Sequence, residues 1–129
     1  MDATAAPALF EALASAPRLQ IYRLLVRAGA DGLVAGELSE TLDIPSSNLS
    51  FHLKTLIHAG LVGVEQEGRF KRHRANISLM LELIAYLTEE CCAGQPDRCA
   101  DLRAASSCSE AVLPPLPTAG KPNSDQGQK

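Results

Sequence analysis

Residues 38–62, LSETLDIPSSNLSFHLKTLIHAGLV, decide the fold. Residues 34–42 (VAGELSETL) have the composition of a short helix. Asp43-Ile44-Pro45 breaks it, because the residue before a proline is driven out of the helical region. Ser46 or Ser47 is then placed to cap a second helix running to about Ala59, and Gly60 closes it. Advancing about 100° per residue from Leu49 puts Leu53 and Leu56 within about 40° of it, marking one apolar stripe. Ser47, Phe51 and Thr55 lie opposite, with Asn48 and Lys54 on the flanks and Ser50 to one side. Two short helices joined by a tight break are a helix-turn-helix.

Outward from this stretch the pattern becomes more specific. Residues 61–66 alternate like a strand, Glu67-Gly68 is a turn signal, and residues 69–77 return as a second strand. That strand is basic: Arg69, Lys71, Arg72 and Arg74 fall within six residues. Alternation puts Arg69, Lys71 and His73 on one face and Phe70, Arg72 and Arg74 on the other. The period does not say which face meets a phosphate backbone. Upstream, residues 7–15 and 17–28 predict two helices, the second entered through Ser15-Ala16-Pro17. Downstream, Ser78 is placed to cap a last helix from 79 to about 92, ended by Gly94 and Pro96. The expected architecture is mainly α with a β-hairpin wing, a winged helix-turn-helix.

The bulk numbers fit one modest domain. The chain has 129 residues, of which 46% are hydrophobic and 4% aromatic, with no Trp. The core must therefore be built from Leu, Ile, Val and Ala, and a core of this size commonly gains stability by oligomerising. The net charge of -3 excludes a general basic coat but not a local basic patch. The start of the chain lacks the charge-then-apolar pattern of a secretion signal, and no apolar run approaches a membrane span. A cytoplasmic protein is expected, in which thiols stay reduced. Residues 1–112 are assigned to the winged helix-turn-helix domain with its ligand-binding segment. The Pro-, Gly- and polar-rich residues 113–129 are assigned to a disordered tail.

Four candidate roles follow for the helix and wing. Ser46, Ser47, Asn48, Ser50, Lys54 and Thr55 carry hydroxyl, amide and ammonium groups suited to base edges and phosphates. Phe51 is a large apolar group on that wet face, available either to a thymine methyl or to a neighbouring helix. Arg69, Lys71, Arg72 and His73 supply the wing. His52, near the core edge, reads as a packing or capping histidine.

Cys91, Cys92 and Cys99 form the second signal. Neighbouring residues on an intact helix diverge by about 100°, so a shared ion needs a third ligand returned by a chain reversal. Gly94 and Pro96 supply the break, and six residues separate Cys92 from Cys99. Three thiolates suit a soft ion. Trivalent arsenic or antimony needs no fourth ligand. Zinc, cadmium or lead would draw on Cys108, Asp97 or Asp101. A redox switch using the adjacent thiols is a further alternative. An enzyme is not expected, since the C-x-x-C motif and the βαβ pattern of thiol oxidoreductases are missing.

The chain resembles the ArsR/SmtB family of bacterial metal-sensing repressors over about residues 7–92. The resemblance is carried by FEALASAPRLQIYRLL, by the stretch quoted first, and by EQEGRFKRHRANI. It implies a homodimer joined through the first and last helices. It also implies an apo form that binds operator DNA and a metalloid-bound form that releases it. One departure matters. The family's arsenic sensors carry Cys-Val-Cys in the first helix of the reading head, in a motif like ELCVCDL. Here Val34 and Gly36 stand at the cysteine positions. The carboxylate–histidine pairs of the family's zinc sites are missing too: Glu82, Glu89 and Glu90 have no histidine beside them. The chain is similar instead to variants with a vicinal cysteine pair at the end of the last helix and a third cysteine shortly after. This resemblance implies a metalloid site at Cys91, Cys92 and Cys99.

Overall fold

A computed structural model describes residues 1–107, and of Cys92 and residues 96–99 the backbone alone. The assigned tail at 113–129 and Cys108 lie outside the described residues. The chain divides into two compact units, Met1–Met80 and a second beginning at Leu81.

In the first unit four helices and a three-stranded sheet share one core. Helix α1 (Ala5–Leu13) buries Ala6, Leu9 and Ala12. Phe10, beside this face, is exposed, and Leu13 is half-buried. Helix α2 (Ala16–Ala28) begins as its sequence predicts. Ser15 accepts from the Arg18 N–H, a proline occupies the first turn, and Gly29 ends the helix at φ 63°. Arg18 Nε donates to the Ala12 carbonyl at 2.6 Å and so ties α1 to α2.

Helix α3 (Ala35–Leu42) starts without a hydroxyl cap. The Glu37 carboxylate accepts from the Val34 N–H at 2.9 Å and satisfies one orphan donor. At its other end Asp43 turns left-handed at φ 54°, and Ser39 Oγ donates to the Ile44 carbonyl at 2.6 Å. Helix α4 (Ser46–His58) follows, with Pro45 at the cap position. Neither Ser46 nor Ser47 caps it. The helix begins at Ser46 itself, and the Pro45 carbonyl accepts the Leu49 N–H at 2.9 Å. Leu49, Leu53 and Leu56 are all buried, as the helical wheel requires.

The sheet has one strand more than expected. Strands β2 (Val62–Glu67) and β3 (Phe70–Ala75) form the hairpin, and β1 (Leu33–Val34) adds to the far side of β3. Two residues of strand are too short to show a period, so β1 was invisible in the sequence. Glu67 pairs with Phe70, which moves the turn to Gly68-Arg69. Gly68 takes φ 61°, and the Gln66 side-chain amide donates to the Gly68 and Phe70 carbonyls. Ile21, Leu25, Leu38, Leu49, Leu56 and Leu61 are fully buried beneath these elements. Each contributes about 1.5–3 kcal/mol by burial.

Helix α5 (Ile77–Leu87) begins earlier and ends earlier than its sequence suggests. Asn76, not Ser78, serves its start, accepting from the Leu79 N–H at 3.3 Å. Beyond it lie a 3-10 turn (Cys91–Gly94) and helix α6 (Pro96–Ala105), where the sequence reading placed a ligand-binding segment and no further helix.

Candidate nucleic-acid interface

The exposed side of α4 carries Ser46, Ser47, Asn48, Ser50, Phe51 and Lys54. This is the side opposite the buried leucines. Phe51 is 64% exposed, so within this chain it is not a packing residue. Its ring meets that of His52 edge-on, with centroids 5.7 Å apart. Thr55 is half-buried, and its hydroxyl donates back to the Phe51 carbonyl at 3.3 Å. His52 is half-buried, with Nδ1 enclosed and unpartnered among the described residues.

The two faces of the hairpin have different occupations. Arg72 Nε meets Glu67 Oε1 at 2.9 Å, and its Nη1 donates to the Asp31 carbonyl at 3.1 Å. Arg74 Nη1 meets Glu65 Oε1 at 2.6 Å, and its Nε donates to the Ala30 carbonyl at 2.7 Å. The Glu67 hydrogen bond raises the Arg72 pKa above its ordinary value. This face is an internal network of two arginines and two glutamates.

The other face carries Lys71, with Arg69 at the tip. Neither has a carboxylate within ion-pair distance among the described residues. Arg69 lies over the Phe70 ring, 5.5 Å from its centroid. His73 shares the face of Lys71 but not its exposure. It is 4% exposed, flanked by Leu33 on β1 and Val64 on β2. A side chain buried in mid-sheet is not free to meet a phosphate, which corrects the reading of His73 as a wing contact. Burial holds its pKa below the ordinary histidine value. Backbone hydrogen bonding with Leu33 and Lys71 opposes this without offsetting it, and the Lys71 charge adds the smallest contribution, in the direction of burial.

Sequence reasoning missed Gly32. It sits at φ 61°, and a Cβ there would collide with the His73 carbonyl oxygen. Asp31-Gly32 is a turn dipeptide by composition, but the close approach of β3 is set by strands distant in sequence. Asn76 was missed as well. Its Nδ2 donates to the Gly60 carbonyl at 3.0 Å, and its N–H to the Leu61 carbonyl at 2.8 Å.

In the second unit Cys91 is exposed and begins the 3-10 turn. Glu90, Ala93 and Gly94 around it all have positive φ. Cys91 and Cys92 therefore lie in a reversal and not on the last turn of an intact helix. Cys99 lies within α6. The side chains of Cys92 and Cys99 are outside the described ones. Among the described residues no helix is long and apolar enough to cross a membrane.

Comparison with known proteins agrees with this geometry. Residues 13–65 match the family model described as a helix-turn-helix domain. The uncharacterized HTH-type transcriptional regulator YceK of Bacillus subtilis (strain 168) is 38% identical over 63 residues, 49% of this chain. The match spans 62% of that relative, a little under two thirds of its length. The arsenical resistance operon repressor of the same organism is 34% identical over 83 residues, covering 64% of this chain and 74% of the relative. Among solved structures, an ArsR-like transcriptional regulator from Rhodococcus sp. RHA1 superposes with a TM-score of 0.60 at 26% identity. That superposition covers 81% of this chain and 96% of the other. The winged helix-turn-helix and its relatives lead to one assignment: the chain belongs to the ArsR family of helix-turn-helix transcriptional regulators.

Proposed function

We propose that the protein is a transcriptional repressor that binds operator DNA as a dimer and leaves it when trivalent arsenic or antimony binds Cys91, Cys92 and Cys99. The observation that carries the DNA half is the polar, exposed side of α4 beside two hairpin cations, Arg69 and Lys71, that have no acidic partner among the described residues. A helix of this kind enters the major groove, where Asn48 and the serines meet base edges and phosphates. Phe51 meets thymine methyl groups. Lys54, Arg69 and Lys71 neutralise phosphates and make binding salt-dependent. Thr55 supports the helix through its bond to Phe51, and Arg72 shapes the wing through Glu67.

The sensing half rests on the thiol set and on the backbone reversal that holds part of it. Three thiols condense with arsenous acid, forming three As–S bonds and releasing three waters. The lone pair on arsenic fills the direction that a fourth ligand would take around zinc. The arsenical repressor among the relatives supports this inducer class. Dimerisation through the first and last helices supplies two reading heads for an inverted site. By linkage, an inducer that favours the DNA-free form lowers DNA affinity by the factor by which DNA lowers its own.

The test is fluorescence anisotropy of the reduced protein on its own upstream DNA, titrated with arsenite, antimonite, cadmium, lead and zinc. Release by the trivalent metalloids alone supports the reading. Release only by divalent ions moves the sensor to a four-ligand set. Release by peroxide alone replaces it with a redox switch.

A further inference from the structure

A groove of about 380 Å³ opens between the start of α3, the middle of α4 and the hairpin, all within the first unit. Its volume is in the range of small-molecule sites. Its walls are of two kinds. Leu53 and Ile57 from α4, Val64 from β2 and Phe70 from β3 make an apolar side. Lys54, Arg69 and Lys71 bring three cations to the same space, and no carboxylate lines it among the described residues. Glu37, the nearest acidic residue on α3, has its carboxylate on the Val34 N–H.

Two further features favour an anion. Ala35 and Gly36, the first residues of α3, line the groove. First-turn N–H groups of a helix have no intrahelical partner, and the helix dipole favours negative charge there. His73 also lines the groove, and its buried Nδ1 makes no well-formed hydrogen bond among the described residues, the backbone of Leu33 and Lys71 giving the ring only weak ones. A buried polar atom of this kind is uncommon and calls for a partner.

We infer that this groove is an effector site for an amphipathic organic anion, an aromatic or branched carboxylate, whose occupancy excludes DNA. The apolar body lies on Leu53, Ile57, Val64 and Phe70, and the carboxylate lies among Lys54, Lys71 and the start of α3. Lys54 and Lys71 serve phosphates in the DNA reading, so a carboxylate held there competes with the operator. The exclusion rests on that reading; the site itself does not.

The experiment uses the reduced full chain without DNA and naphthalene-2-carboxylate as probe, followed by methyl and amide NMR. Naphthalene-2-methanol, with no charge, and inorganic phosphate, with no apolar body, are the controls. The carboxylate is expected to shift Ile57, Val64 and Gly36, and to bind about tenfold more tightly than either control. The blocking variant is Gly36→Leu. Nothing stands within 4 Å of a Cβ at Gly36, so the added side chain enters open space. It should leave the circular dichroism and melting of the protein intact and weaken the probe by about tenfold or more. Equal binding of all three probes, shifts elsewhere, or undiminished binding by folded Gly36→Leu overturns the inference.

An anisotropy arm separates the two readings. Displacement of bound operator by the carboxylate, but not by the alcohol, supports the exclusion. Probe binding at the groove in a protein that binds no DNA overturns the DNA reading and the exclusion, and leaves the site. DNA binding with no probe in the groove overturns the site alone.

Discussion

Arg74 Nε donates to the carbonyl of Ala30 at 2.7 Å, joining the hairpin to the turn between α2 and β1 across 44 positions of sequence. Arg72 repeats the link one alternation earlier, through the Asp31 carbonyl. Both guanidiniums also hold glutamates of their own hairpin. The basic run is thus divided: Arg72 and Arg74 hold the wing in place, while Lys71 and Arg69 remain for a partner.

That division predicts different phenotypes for neighbouring residues. Lys71→Ala should weaken operator binding and lower the slope of log K against log salt by about one unit. Arg72→Ala should leave the slope nearly unchanged and lower stability only modestly, since its ion pair with Glu67 is partly exposed and screened by solvent. Salt titrations of DNA affinity beside urea melts of both variants check this. Equal slope changes would return Arg72 to the phosphate contacts.

Gly32→Ala should destabilise the fold by about 2 kcal/mol or more, from its positive φ and from the collision with the His73 carbonyl. Gly36→Ala is the contrasting variant. Gly36 lies within α3 with open space at its Cβ, and the change should be neutral or stabilise by up to about 1 kcal/mol. Urea unfolding of the pair measures both.

His73 predicts an acid limb of stability. Its folded pKa lies below the unfolded value of about 6.5. Above that pH both states are neutral and the stability is fully present. As pH falls through the unfolded value, the unfolded chain takes up the proton first and stability declines until the folded pKa is passed. The melting temperature should therefore fall on acidification below about pH 6.5. A His73→Leu variant should lose that part of the fall.

Cys92→Ser should keep DNA binding and lose release by arsenite. Anisotropy with and without arsenite decides it. A variant that releases normally places the sensor elsewhere in the chain.

The reading head was legible because its signals are local and periodic. Leu49, Leu53 and Leu56 repeat at helical spacing, and Asp43-Ile44-Pro45 breaks the chain where α3 ends. What the sequence concealed was non-local. His73 looks like its basic neighbours until β1 pairs with β3 and covers it. Arg72 looks available until Asp31, distant in sequence, presents its carbonyl. The cysteine segment was misplaced for another reason. The apolar stripe from Leu79 to Leu87 has no marked stop, and Glu90 and Ala93 are not residues that advertise a left-handed backbone.

Asn76 fastens three elements at one point. It bonds the ends of α4 and the start of β2 through Gly60 and Leu61, and it caps α5 through the Leu79 N–H. The end of α4, the start of the hairpin and the root of α5 thus share a single residue as their common tie. Loss of its side chain would leave the Gly60 carbonyl and the Leu79 N–H without that partner at once, so one substitution loosens the junction of three elements.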